Sequence, residues 1–102
     1  MRVVDSTSEL GALVTNNRDR IIEVAAAHGA RNVRIFGSVA RGDAAVDSDI
    51  DLLADFDSGS SLFDLLHLTD ELQQLLGRPV DIVSTGGLKD RDHRILAEAL
   101  EL

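Results

Sequence analysis

The segment GSVARGDAAVDSDIDL, residues 37–52, joins a Gly-Ser pair to two aspartates through a spacer of ten residues. Side chains of a strand alternate between its two faces, so Asp49 and Asp51 are predicted to share one face. Ile50 and Leu52 then point the other way, into the core. Two carboxylates held side by side repel each other unless a cation neutralises them or they share a proton. The segment therefore predicts a strand that carries a cation site, and oxygen ligands of this kind suit Mg²⁺.

A third carboxylate stands later in the chain, in the segment PVDIV, where Asp81 is the only polar residue. A strand that follows a helix can pair beside the strand of Asp49 and Asp51 and direct Asp81 to the same place. Three carboxylates could hold two metal ions about 3.5–4 Å apart, which is an arrangement used for in-line phosphoryl chemistry. In such a site we expect Asp81 to help deprotonate the incoming hydroxyl group.

The Gly-Ser pair at the end of the preceding strand is predicted to bind phosphate. Gly37 lets the backbone come close to a ligand. If a helical turn begins at Ser38, its free N–H groups and the Ser38 hydroxyl form an anion site. Arg41, in the same short segment, could add a positive charge toward a phosphate tail. These residues predict a triphosphate held at Gly37 and Ser38 and bridged through metal to Asp49 and Asp51.

Apolar periodicity and turn residues predict the rest of the fold. The predicted order of main elements is α-β-β-α-β-α, a mixed α/β (α+β) fold with a small mixed sheet backed by helices. The elements are a helix over 7–29 with a possible break at Asn16-Asn17, strands over 32–38 and 49–56, a helix over 61–77, a strand over 78–84 and a helix over 89–101. Residues 39–48 are expected to be small and polar, with one helical turn at their start.

Two of the predicted helices carry further expectations. In the last helix, the inward residues are predicted to be Ile95, Leu96, Ala99 and Leu100. The helix over 61–77 has more leucines than one buried face needs. Core packing accounts for most of them, and the remainder could form an apolar patch for a partner.

Composition limits the classes of function. The chain has 102 residues, which favours a single domain over 1–102, and 44% of them are apolar. It has no cysteine, which excludes disulfides, thiolate metal sites and a cysteine nucleophile. No segment has the pattern of a signal peptide or the length of a membrane span, so a cytoplasmic protein without membrane contact is expected. The net charge of −8 argues against stable nucleic-acid binding, because phosphate contacts come from clustered Lys and Arg.

The run FGSVARGDAAVDSDIDLLADF, with Asp81 beyond it, resembles the signature of the DNA polymerase β-type nucleotidyltransferase superfamily. It is most similar to the minimal (MNT-domain) members, many of which act as antitoxins beside a HEPN-domain toxin. The resemblance spans roughly residues 30–84 in element order. It implies the nucleotidyltransferase fold, with Asp49, Asp51 and Asp81 as metal ligands and Gly37 and Ser38 as phosphate-binding residues.

The same resemblance implies an activity: transfer of AMP from ATP, with release of pyrophosphate. In the antitoxin branch the acceptor is typically a tyrosine of the HEPN toxin, a ribonuclease that the modification silences. No second domain of the kind that larger members use for an antibiotic, a tRNA end or a DNA primer is expected, which argues against those acceptors. An alternative stays open at this point: an antitoxin that neutralises its toxin by binding alone, without catalysis.

Overall fold

A computed structural model describes residues 8–45, 47–88 and 92–102. The predicted start of the first helix at residue 7 and the predicted helical residues 89–91 lie outside these ranges. In chain order, the elements are α1 (Glu9–Asn16), α2 (Arg18–Ala27), β1 (Ala30–Phe36), α3 (Gly37–Arg41), β2 (Ile50–Phe56), α4 (Leu62–Leu76), β3 (Val80–Ser84), a 3₁₀ turn (Thr85–Gly87), α5 (His93–Glu98) and β4 (Leu100–Glu101).

The N-terminal helical region is broken where the sequence predicted. The Ser8 side chain caps α1 by accepting a hydrogen bond from the backbone N–H of Gly11 at 2.9 Å. Asn17 then separates α1 from α2, and its side-chain amide donates to the Leu13 carbonyl at 2.8 Å. Gly29, at φ +76°, lets the chain turn from α2 into β1.

The described strands form one mixed sheet in the order β3-β2-β1-β4. Strands β1 and β2 are antiparallel, whereas β2 and β3 are parallel and are connected through α4. In this register Asp51 lies opposite Phe36 on one side and opposite Asp81 on the other. The predicted fold class, a small mixed sheet with helices, is confirmed.

One face of the sheet forms the core. Ile35, Ile50 and Leu52 have exposures of 0%, 0% and 1%, as the alternation in β2 predicted. They pack with apolar side chains from the helices, among them Val14, Ile21, Leu68 and Leu72. Because Asp51 alternates with Ile50 and Leu52, burial of these two residues directs the carboxylate to the opposite face of the sheet.

Helix α4 matches the predicted helix to within one residue at each end. Ser61 and Asp64 form a reciprocal capping box, in which the Ser61 backbone N–H donates to the Asp64 carboxylate at 2.8 Å. Gly77 ends the helix in the left-handed conformation, at φ +67°. Among the described residues, no helix combines the length and the apolar character that a membrane crossing requires.

The prediction of one continuous helix over 89–101 is wrong at its C-terminal end. Helix α5 ends at Glu98, Ala99 is extended, and Leu100–Glu101 form the short strand β4 against β1. Leu100 is 5% exposed and pairs with Ile35, so it is buried in the sheet and not on a helix. A free edge of β1 offered hydrogen-bonding partners to this segment, and local periodicity contains no information about that edge.

The inward residues predicted for this last helix are also only partly right. Leu96 is 46% exposed, whereas Ile95 and Ala99 are half-buried. Because α5 has only six residues before the chain turns extended, it presents fewer positions to the core than a helix of full length would.

Candidate active site

Neighbouring parallel strands bring two of the predicted site carboxylates together. Asp51 is the second residue of β2 and Asp81 is the second residue of β3, and the two residues are partners in the strand register. Asp49 immediately precedes β2 and is exposed, as is Asp81, while Asp51 is half-buried. The parallel pairing therefore aligns the start of both strands and places all three aspartates at one end of the sheet.

The surroundings of Asp51 favour its protonated form. Burial is the largest cause that raises the pKa of Asp51, followed by the charges of Asp81 and Asp49. The positive charge of Arg41 acts in the opposite direction and lowers this pKa. The three carboxylates thus interact electrostatically, and a cation beside Asp51 would relieve both the burial of its charge and the repulsion from its neighbours.

A raised pKa makes Asp51 a cost to folding at neutral pH. The contribution of Asp51 to the free energy of unfolding is fully present below the unfolded-state pKa, where the carboxyl is protonated. This contribution is lost as the pH rises through the folded-state pKa. We expect Asp51→Asn to raise the melting temperature at neutral pH, and the gain over wild type to vanish in acid. Glu23→Gln, which removes a charge from an exposed site on α2, is the control for net charge alone. Equal melting temperatures for Asp51→Asn and wild type at neutral pH would contradict this account.

Gly37 makes the close approach between the start of α3 and Asp51 possible. Its backbone has φ +73°, a conformation that other residues rarely adopt. A Cβ atom at this position would overlap the Asp51 Oδ2 atom and lie 3.1 Å from the Asp51 Cγ atom. The absence of a side chain at Gly37 thus leaves room for the Asp51 carboxylate beside the chain turn.

Helix α3 is a single turn that begins at Gly37 and includes Ser38, close to where a helical turn was predicted. Ser38, its second residue, is half-buried next to Gly37. Val39 and Ala40 anchor the turn because both belong to the core cluster. Gly42, at φ +81°, ends the turn. The turn therefore holds Ser38 in place from the core side, next to the end of β1.

Arg41 is held by two carboxylates. Its guanidinium lies 3.3 Å from Asp43 and 3.1 Å from Glu98 of α5. The hydrogen bonds to Glu98 and Asp43 are the main causes that raise the pKa of Arg41. Its charge nevertheless acts on Asp51, which together with Asp49 and Asp81 we call the acidic cluster. Contact of Arg41 with a phosphate remains a prediction.

The donor set fits a hard divalent cation. Asp49, Asp51 and Asp81 supply only carboxylate oxygens, the ligands that Mg²⁺ prefers. Within residues 8–45, 47–88 and 92–102, no three acidic or histidine side chains are gathered closely enough to form a ready metal cage. The three aspartates as metal ligands therefore remain a prediction, which the type of their donor atoms and the charges of Asp81 and Asp49 on Asp51 support.

Asp55 lies further along β2 and has a different role. Its carboxylate accepts hydrogen bonds from Thr85 Oγ1 at 2.6 Å and Asn32 Nδ2 at 3.1 Å, and Arg34 lies 3.3 Å away. The hydrogen bonds from Thr85 and Asn32 are the main causes that lower its pKa. Asp55 therefore ties β2 to β1 and to the 3₁₀ turn.

This network gives Asp55 a pH dependence opposite to that of Asp51. Because its folded-state pKa is lowered, its stabilising contribution is present above the unfolded-state pKa and is lost as the pH falls through the folded-state pKa. Asp55→Ala is expected to reduce the free energy of unfolding by about 1 kcal/mol at neutral pH, since exposed polar contacts contribute little more. Urea titrations of both proteins should show this difference shrinking in strong acid; a constant difference would contradict the assignment.

Comparison with known proteins identifies the family of this chain. A family model described as a nucleotidyltransferase domain matches residues 19–101. A protein of Methanocaldococcus jannaschii, provisionally assigned as a protein adenylyltransferase, is 41% identical over 81% of this chain and 90% of its own length. The protein adenylyltransferase MntA of Thermococcus cleftensis is 37% identical over 79% of this chain and 79% of its own length.

Two solved structures share the fold. A structure provisionally described as a minimal nucleotidyltransferase is 46% identical, with a TM-score of 0.81 over 89% of this chain and 94% of that one. A crystal structure of a toxin–antitoxin with AMP-PNP has a TM-score of 0.72 over 83% of this chain and 71% of that one. The second structure is only 19% identical, so the likeness extends to the fold alone.

Proposed function

This chain belongs to the nucleotidyltransferase domain family, and on that premise we propose that it transfers AMP from ATP to a hydroxyl group of a partner protein. The observation that carries the proposal is the pairing of Asp51 with Asp81 on adjacent strands, with Asp49 and Gly37 beside Asp51. This arrangement offers carboxylates at one end of the sheet and an open backbone turn next to them, which are the parts that a triphosphate site needs.

Each residue has a proposed task. The Mg²⁺ ligands would be Asp49, Asp51 and Asp81, and two ions are expected. When bound, Mg²⁺ would neutralise the charge of the triphosphate. Gly37 and Ser38 would contact the phosphates through the backbone N–H groups and the Ser38 hydroxyl, with Arg41 nearby as a positive charge. Asp81, the exposed carboxylate of the paired strand, would accept the proton of the incoming hydroxyl.

The proposed reaction forms one phosphorus–oxygen bond and breaks another. The hydroxyl oxygen attacks the α-phosphorus of ATP, and its proton passes to Asp81. The bond between the α-phosphorus and the oxygen that bridges to the β-phosphorus breaks, and pyrophosphate leaves with that oxygen. The acceptor keeps AMP on its hydroxyl oxygen. The residues of this chain contribute position and charge, which is where most of the catalysis of phosphoryl transfer arises.

We propose that the acceptor is a tyrosine of a HEPN-domain ribonuclease toxin and that the modification silences it, so this chain acts as an antitoxin. Two relatives carry the name protein adenylyltransferase, and one structure with the same fold is a toxin–antitoxin with AMP-PNP. The proposal also places the chain in the cytoplasm as a single domain over residues 1–102, with no stable binding to nucleic acid and none to membranes.

A second candidate function is neutralisation by binding alone. The observation that favours it is an exposed apolar surface at the start of α4, where Phe63 is 70% exposed. A protein that acts only by complex formation needs such a surface and gains nothing from three neighbouring carboxylates. The two candidates therefore differ in whether the acidic cluster is required for neutralisation.

The experiment that tests the proposal is a transfer assay on intact proteins. The chain and the purified product of its neighbouring gene are incubated with ATP and Mg²⁺, and both are weighed by mass spectrometry. We expect the partner to gain the mass of one or more AMP groups, and to gain none when Mg²⁺ is removed with a chelator. A stable complex without any mass gain would instead support neutralisation by binding.

A further inference from the structure

The outward face at the start of α4 is apolar and exposed. Leu62, Phe63 and Leu66 are 67%, 70% and 53% exposed, and we call these three residues the α4 patch. They lie at the start of the helix, on the side opposite to Leu68 and Leu72, which are each 1% exposed in the core. The inner side of α4 therefore packs in the core, whereas these three side chains stay exposed, as the excess of leucines in the sequence suggested.

A cleft adjoins the α4 patch. It has a volume of about 210 Å³ and lies between the end of β2, the loop after it and the first turns of α4. Phe56, Leu62 and Leu65 form its apolar wall, while Ser60, Ser61 and Ser84 supply hydroxyl groups. Binding energy at protein interfaces concentrates where an anchoring side chain enters such a recess beside exposed apolar residues.

The charge around the α4 patch selects the type of partner. Helix α4 contains no Lys or Arg, and its exposed residues after the patch are His67, Asp70, Glu71 and Gln74. Glu71 is paired with His28 of α2 at 2.9 Å, which leaves Asp70 as the acidic residue beside the patch. Asp70 lies four residues after Leu66, hence one turn further along the same face. A second copy of this chain would bring acidic residues against acidic residues, in a chain whose net charge is −8. Like charges across an interface oppose association, whereas a basic surface would be attracted.

We propose that the α4 patch and its cleft dock the protein that this chain modifies, through an apolar surface on that protein flanked by Lys or Arg residues. The proposal rests on the proposed function, because it concerns the same protein acceptor. The apolar side chains would supply affinity. Asp70, on the same face as the patch, would attract the basic flank and increase the rate of association.

The position of the patch separates docking from chemistry. Phe56, in the wall of the cleft, lies five residues after Asp51 on β2, which corresponds to about 17 Å at the rise of a strand. A protein acceptor can span this distance, and Phe56 points to the face of β2 opposite to Asp51, so a nucleotide at the acidic cluster is not expected to contact the patch. Changes in the patch should therefore weaken binding of the protein acceptor without affecting ATP or the transfer step.

The test combines the substitutions Leu62→Ser, Phe63→Ser and Leu66→Ser in one variant. All three side chains are exposed, so the fold should persist, which circular dichroism and the melting temperature check. The matched control is Ile22→Ser, because Ile22 is 38% exposed on α2, where it lines a separate groove with Leu102. The probe is the purified product of the neighbouring gene, with affinity measured by calorimetry and transfer by steady-state kinetics.

We expect the triple variant to raise Kd for this protein, and KM for it as acceptor, by roughly 30-fold or more, since exposed aromatic and aliphatic anchors dominate interfaces. Its kcat at saturating acceptor and its affinity for Mg²⁺–ATP should equal those of wild type. The Ile22→Ser control should bind as wild type does. A second variant, Asp70→Asn, should slow association and reduce its dependence on salt.

Several results would overturn the docking surface. The first is a triple variant that binds the product as tightly as wild type does. The second is a wild-type protein that does not bind the product even at low salt. The third is a dimer of the chain alone, seen by sedimentation, that the triple variant does not form. Failure of the proposed function gives a different result. In that case the wild-type complex forms and depends on the patch, but no AMP is transferred.

Discussion

Asp49→Asn combined with Asp51→Asn is expected to reduce AMP transfer by at least about 10³-fold while leaving the protein folded. Asparagine keeps the shape of each side chain but removes the charge that would hold Mg²⁺ and offset the triphosphate. The fold should persist, because Ile50 and Leu52 on the same strand keep their core contacts. The double variant should even melt at a higher temperature, since the ionised Asp51 is a cost to folding at neutral pH.

Transfer of AMP to the partner in the mass-spectrometric assay is the measurement for this variant. Asp19→Asn combined with Asp47→Asn is the matched control, because it removes two charges from exposed positions outside the paired strands. That control should keep nearly full activity. Transfer by the Asp49/Asp51 double variant at a rate near that of wild type would remove these aspartates from the catalytic site. Full neutralisation of the partner without transfer would support action by binding.

Gly37→Ala is expected to reduce transfer by roughly 10²-fold or more and to lower the free energy of unfolding by about 1–2 kcal/mol. The loss of stability comes from the positive φ of 73°, which disfavours any side chain. The loss of activity has a different cause, because the new Cβ atom would overlap Asp51 Oδ2 and displace that carboxylate. A shift of a reacting or ligating group by about 1 Å suffices for such a loss of rate.

Gly77→Ala separates these two causes. Gly77 has a similar φ of 67°, but a Cβ atom there would meet nothing within 4 Å. This variant should lose a comparable amount of stability in urea titrations and keep wild-type transfer. If Gly37→Ala and Gly77→Ala have equal transfer rates, the contact between Gly37 and Asp51 is not important for activity.

Much of the acidic cluster could be predicted because its parts are close in sequence. The alternation of Asp49 and Asp51 with Ile50 and Leu52 predicted the two faces of β2, and Gly37 predicted the end of β1. Strand periodicity is a local property, so it is visible in the residue order. The turn before α4 and the stop at Gly77 were predictable for the same reason, since caps depend on residues within one helical turn.

Contacts between distant segments were beyond such reasoning. The sequence suggested that Asp81 joins the acidic cluster. Only the pairing of β2 with β3 shows that its partner is Asp51 and not a neighbouring residue of β2. The ion pair between Arg41 and Glu98 joins residues 57 positions apart. Neither the composition nor the spacing around Arg41 identifies this partner, because long-range partners are decided by how elements pack.

The sequence by itself determined the spacing of the Gly-Ser pair and the aspartates, the alternation in β2 and the surplus of apolar residues in α4. The tertiary structure decided which apolar residues of α4 stayed exposed and that Leu100 lies in a strand paired with β1. It also decided that the pKa of Asp51 is raised. The physical reason is the range of the interactions. Backbone conformation and periodicity depend on neighbours in the chain, whereas burial, strand pairing and pKa depend on atoms that only folding brings together.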